Sequence, residues 1–240
     1  MPALKRPEVL SAVYAAASRK IAARDIPTLF VQGGQTLYRS VNPAGTYTSM
    51  PKPNPGRHLS KFVANAAITP ADGVLDLGNR FSGPSGGSIP HASGLYCVQQ
   101  QQALINESAH YSGKAHAWSL SGRCVLRIRV MGSILVADLS PHNPRALRFL
   151  RELHGASWDQ MVDPNDCSAA RGIGLAIAHS GYLRGLSVQT VRESDRSIDE
   201  NGDNLVLFGS PGQSLPGLYI DQAIYFGKTA VPEIFSVAFP

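Results

Sequence analysis

Cysteine is scarce and poorly spaced for structural use. The three present, Cys97, Cys124 and Cys167, are far apart, odd in number and form no C-x-x-C pair. That excludes a disulfide framework and a zinc ribbon, and it suits reduced thiols in a cytosolic protein. Long apolar runs are also missing. No stretch approaches the roughly 20 residues of a membrane-spanning helix. After Lys5 and Arg6 the chain turns to Pro7 and Glu8 instead of the apolar core of a secretory signal. The expectation is a cytoplasmic protein with no membrane partner.

Charge is sparse, at 16% of residues, although the formal net charge is +5. Lysines and arginines are scattered, apart from Arg123, Arg127 and Arg129, and then Arg145, Arg148 and Arg151. A nucleic-acid binder more usually concentrates them in a stripe interleaved with aromatics, so no direct nucleic-acid contact is expected. The excess suits an anionic partner such as a dinucleotide or an acidic protein. The seven histidines are dispersed and no H-E-x-x-H occurs, so no metal site is expected.

A chain of 240 residues that is 43% hydrophobic can build one sizeable core unaided. Periodicity predicts a helix from Pro7 to about Arg24, with Val9, Leu10, Val13, Ala16 and Ala17 on one face. Further helices are expected over Gln99–Tyr111, over Pro144–His154 with Leu147, Leu150 and Leu153 on one side, and up to His179, capped by Asp166 or Ser168. Short strands are expected at Thr28–Gln32, Thr36–Val41, Gly73–Leu77, Leu95–Val98, Val125–Val130 and Ile134–Leu139. Others follow at Leu186–Val191, Leu205–Phe208, Leu218–Tyr225 and Ile234–Ala238. The Pro- and Gly-rich stretch from Asn42 to His58 reads as an irregular loop, and so does Gly78–Gly94. Regular strand–helix alternation is absent. The fold class is therefore α+β in a single domain over residues 1–240, with residues 1–35 as an N-terminal helical extension.

Gly83-Pro84-Ser85-Gly86-Gly87 matches the nucleophile-elbow string G-x-S-x-G. That motif needs a helix directly after the serine, and Pro90 opposes one, so a serine hydrolase is not expected. The same run lacks the Lys-(Ser/Thr) ending of a phosphate loop.

Four fragments occur in order: Leu37-Tyr38-Arg39, Gly78-Asn79-Arg80-Phe81-Ser82, Leu95-Tyr96-Cys97 and Ala103-Leu104-Ile105-Asn106-Glu107. Two more follow: Gly185-Leu186-Ser187-Val188-Gln189-Thr190 and Gly202-Asp203-Asn204-Leu205-Val206-Leu207-Phe208. Their order and spacing resemble the RES-domain family. That family pairs a Leu-Tyr-Arg strand with a Gly-Arg-(Trp/Phe)-(Asn/Ser) loop. A strand bearing a Tyr and a helix bearing a Glu eleven residues later come next. The resemblance spans residues 37–208, with Tyr111–Cys167 poorly matched. It implies a core like that of the ADP-ribosyltransferase toxins, built of short packed β-sheets with flanking helices. It also implies consumption of NAD as substrate, growth arrest, and a cognate antitoxin or immunity protein.

By position, Arg39 and Arg80 match the family's two arginines, Tyr96 its tyrosine and Glu107 its acid. The late serine falls at Thr190, or at Ser187 if the strand is shifted, and Asn204 follows. The resemblance thus implies Glu107, Tyr96 and Arg39 as catalytic, and Arg39, Arg80, Tyr96, Thr190 and Asn204 as NAD-binding. The residue types suit the chemistry. Guanidinium groups fork onto pyrophosphate oxygens, and a carboxylate stabilises the oxocarbenium-like ribose of glycosidic cleavage. A tyrosine offers nicotinamide a flat face and a phenol. Two alternatives remain: transfer of ADP-ribose to a protein or nucleotide acceptor, and a non-enzymatic binding module.

Overall fold

The computed structural model describes residues 4–41, 80–83, 85–101, 103–104, 123–153, 156, 160–161, 163, 165–191, 198–209, 215, 217–226 and 233–236. Three helices and nine strands are set out there: α1 (Pro7–Ala22), β1 (Thr28–Val31), β2 (Thr36–Val41), β3 (Ser93–Val98), β4 (Arg123–Val130), β5 (Ile134–Asp138), α2 (Pro144–Arg151), α3 (Ser168–Ala178), β6 (Gly185–Val191), β7 (Ile198–Gly209), β8 (Leu218–Phe226) and β9 (Glu233–Ser236). The architecture is α+β. The expected loop over Asn42–His58, the strand over Gly73–Leu77 and most of the helix over Gln99–Tyr111 lie outside the described residues.

The strands form one sheet in the order β1-β5-β6-β7-β3-β2-β4-β8-β9. All pairings are antiparallel except β5 with β6. That order forces the sheet to curl. On a flat sheet, five strand spacings of about 4.8 Å would separate β1 from β2 by some 24 Å. The connection between them is a tight turn in which Gln35 N–H donates to the Gln32 carbonyl. The turn also binds the end of β4 at Val130, and β4 reaches β5 through only residues 131–133. Two such short links close the β1–β5 end over β2 and β4. One apolar cluster accordingly holds Val31, Ile134 and Val136 together with Leu37, Leu126 and Ile128.

The outer face of β5–β6–β7 carries the helices. Ala137, Leu186, Val188, Val206 and Phe208 pack against α1, α2 and α3. Apart from Ser168 and Arg171, helix α3 is apolar all round, and every residue from Ser168 to Ile177 is buried, as expected of a helix enclosed on all sides. Two glycines allow the enclosure. A Cβ on Gly172 would stand 2.7 Å from the Leu10 carbonyl oxygen of α1, and one on Gly174 would stand 1.9 Å from that of Phe81.

Two sequence expectations are corrected here. The buried side of α2 is Ala146, Phe149 and Leu150, followed by Leu153; Leu147 is only partly buried. The phase is set by Phe149, which fills the core beside Ile21 and Ile26. The N-cap position of α3 is Cys167, which makes no side-chain cap bond. Asp166 acts from one residue further out, accepting from Ser168 N–H at 2.9 Å.

Asp166 also accepts from the Ser168 hydroxyl at 2.5 Å and from Arg6 Nε at 2.5 Å, while Ser168 Oγ accepts from Arg6 N–H at 3.0 Å. The start of α1 is thereby tied to the start of α3. Burial alone would raise the Asp166 pKa. The bonds from Ser168, Arg6 and Lys5 outweigh it and hold the carboxyl at about 2. A folded-state pKa below the unfolded value of about 3.9 gives stability that is present above pH ~4 and lost as pH falls through 2. The shift corresponds to roughly 2 kcal/mol. Urea unfolding of wild type and Asp166→Asn at pH 6 and pH 2 should show the wild-type advantage shrinking by about that amount at the lower pH.

Candidate active site

Strand alternation and register decide where each candidate side chain goes. Tyr38 lies opposite Val98, so Arg39 lies level with Cys97; Cys97 is opposite Leu205, and Leu205 is opposite Ser187. Cys97 and Leu205 belong to the inner cluster. Arg39, Cys97, Leu205 and Ser187 therefore form one row across β2, β3, β7 and β6 on the inner face. Tyr96 leaves β3 on the opposite face, where it packs against the helix-side cluster. The backbone joins the two faces: Arg39 Nη1 donates to the Tyr96 carbonyl at 3.1 Å.

On the helix side, the Tyr96 phenol accepts from Phe81 N–H at 3.0 Å, and the two rings lie 6.5 Å apart. Burial pushes the phenol pKa up, against the pull of that N–H and of Arg80 and Arg171. Tyr96 is a neutral donor and acceptor throughout the physiological range. Arg80 Nη1 donates to the carbonyls of Met161 and Asp163 at 3.1 and 2.7 Å, which fastens its loop to the segment leading into α3. The Arg80-Phe81-Ser82 segment, the Leu-Tyr-Cys strand and α3 thus converge within one layer.

Arg171 was not among the residues that sequence reasoning singled out. It sits on α3, is only 2% exposed, and its charge acts on both Tyr96 and Cys167. A single cation inside the apolar string Ser-Ala-Ala-Arg-Gly-Ile-Gly-Leu-Ala-Ile-Ala was the available signal. A buried guanidinium is costly unless partnered, so its presence there marks a polar site inside the core.

The two late hydroxyls differ in setting. Ser187 is fully buried and its Oγ has no hydrogen-bond partner among the described residues. Thr190 falls where the β6–β7 register shifts, between Gln189 and Val191. Asn204 on β7 lies opposite Val98 and Val188 and is partly buried. Glu107 lies outside the described residues.

Burial pushes the Cys97 thiol up to about 12, with Arg39 pulling it down only in part, so it is no thiolate nucleophile. Cys167 is also free, buried and raised by burial. Ser85 of the G-x-S-x-G string is buried; it donates to the Ile89 carbonyl and accepts from Gly87 N–H, a turn-forming role. Among the described residues no cluster of three metal-binding side chains occurs, and no helix is long and apolar enough to cross a membrane.

No protein-family model matches the chain. No curated protein matches it either.

Proposed function

We propose that the protein cleaves the nicotinamide–ribose bond of NAD, with the curled sheet serving as an ADP-ribosyltransferase-like core. The observation that carries this reading is convergence. Fragments 37–39, 80–82 and 95–97, distant in sequence, are linked by the Arg39–Tyr96 and Phe81–Tyr96 hydrogen bonds. The late fragments 185–190 and 202–208 pair beside them as β6 and β7.

In this reading Arg39 supplies positive charge for the pyrophosphate from the inner face, while Arg80, on the helix side, clasps the segment leading into α3. Tyr96, on the helix side, positions the Arg80 loop through its phenol. Thr190 at the register shift, with Asn204 nearby on β7, orients the ribose. Glu107 faces the charge that develops on the ribose, an electrostatic effect worth about 10²–10³ in rate. The C1′–N bond breaks with its electron pair leaving on nicotinamide, water forms the new C1′–O bond, and its proton goes to solvent. Nicotinamide departs as a neutral group from a cationic donor, so the chemistry requires no strong acid and no metal. Growth arrest by NAD depletion, and a cognate antitoxin that restrains it in the producing cytoplasm, follow from that activity.

The test is the release of nicotinamide and ADP-ribose from NAD by purified protein. Equal amounts of both support hydrolysis. Nicotinamide without matching ADP-ribose reassigns the site to transfer onto an acceptor. No release by the folded protein returns the chain to the binding-module alternative.

A further inference from the structure

We propose that the outer edge of β1, with the basic end of α2, is a docking strip for an acidic, extended segment of a partner protein. The inference is independent of the NAD reading.

Strand β1 is the first in the sheet order, so one side of it is unpaired among the described strands. The Pro27 carbonyl accepts from Asp138 N–H. Alternation then turns the backbone groups of Leu29 and Val31 toward β5 and leaves the N–H and C=O of Thr28 and Phe30 on the open side. Leu135 carbonyl bonding to Arg184 N–H, across the other side of β5, fixes the same phase.

Natural edges are usually blunted by lysine, proline or a bulge. The Thr-Leu-Phe-Val strand is protected only by its four-residue length; it carries no lysine, proline or bulge and pairs with β5 in continuous register. Phe30 is 58% exposed, one of two large apolar side chains so exposed among the described residues. It lies opposite Leu135, which is level with exposed Arg184.

Charge identifies the occupant. Beside Pro27, at the start of β1, a surface hollow is lined by Asp25, Arg145, Arg148 and Glu152. Lys20 binds both of those carboxylates. Arg145 is exposed on a helix with no acid in its first turn, Arg148 is exposed with Glu152 at 4.0 Å, and Arg184 is exposed at the far end, so with Lys20 the cations along the strip outnumber the two carboxylates. Two copies of the chain paired through β1 would share one surface carrying both sets of arginines, which disfavours self-pairing. Two outward-facing residues make few backbone bonds, so an acidic segment gains most from the arginines and selects them over a neutral strand.

The probe is a fluorescent eight-residue peptide alternating glutamate and valine, titrated with the full chain at low salt and followed by anisotropy. Wild type should bind it at least tenfold more tightly than the lysine–valine counterpart. Phe30→Pro removes an outward N–H at an exposed site, and Arg145→Glu with Arg148→Glu reverses the charge. Each should weaken binding at least tenfold while circular dichroism and melting stay native. Three results would overturn the proposal: no preference for the acidic peptide, binding unaffected by both changes, or self-association abolished by Phe30→Pro, which assigns the edge to a second copy.

Discussion

Gly174→Ala is expected to be the most damaging single methyl group in this protein. A Cβ at that position would lie 1.9 Å from the Phe81 carbonyl oxygen, 2.8 Å from its carbonyl carbon and 3.0 Å from its Cα. All three obstacles are backbone, so no side-chain rotation relieves them. Helix α3 is enclosed on all sides and cannot retreat, because Gly172 on the same helix already abuts the Leu10 carbonyl of α1. The 80–82 loop must give way instead, and with it the Phe81–Tyr96 bond and the Arg80 clasp on Met161 and Asp163. Overpacking of well-packed cores costs about 1–3 kcal/mol and occasionally more, and here buried hydrogen bonds are lost as well. Chemical unfolding should show a loss of about 3 kcal/mol or more. Gly181→Ala gives the comparison: nothing lies within 4 Å of its added Cβ, and the cost is confined to its positive φ of 77°. A Gly174→Ala protein as stable as wild type would mean that loop and helix do not meet as described.

The largest functional effect is expected at Arg39. Its guanidinium is held on the inner face by the Tyr96 carbonyl, in a row with Cys97 and Ser187, which fixes both its position and its charge. Lysine keeps the charge and loses the planar fork that a phosphate recognises in two-point fashion. Arg39→Lys and Arg39→Ala should both lower kcat/KM for nicotinamide release by about 10²-fold or more. Their melting temperatures should fall much less than that of Gly174→Ala. Full activity in Arg39→Lys would remove the two-point phosphate contact from the account.

Most of the described strands were legible because each is a short apolar or alternating run between turn residues; β7 was not, since it begins at Ile198, seven residues ahead of the expected Leu205, and runs through the polar stretch Asp199–Asn204. Thr36–Val41 has the bounds that its sequence announces, and α1 ends two residues before the expected limit. Arg24 there takes a left-handed φ of 59° and stacks over Tyr182, a helix stop that the residue type does not advertise. The pairing of strands was not legible. Alternation within β2 and β3 gives two faces each, but only the register tells that Arg39 and Tyr96 leave on opposite sides. The parallel contact of β5 with β6 and the curl imposed by two short links are likewise long-range facts. Arg171 escaped notice because a helical arginine ordinarily projects to solvent. Its burial follows from α1, the sheet and the 80–82 loop closing around α3 together. Ser187 and Thr190 read alike as strand hydroxyls; the fully buried Oγ of one and the register shift under the other separate them.

The most direct test of the central claim is the release of nicotinamide from NAD by purified wild-type protein, measured by chromatography beside Glu107→Ala. The account predicts catalytic release by wild type, with ADP-ribose appearing in equal amount, and a loss of about 10²-fold or more in the variant. Release that is undiminished in Glu107→Ala, or absent from a folded wild-type protein, would contradict it.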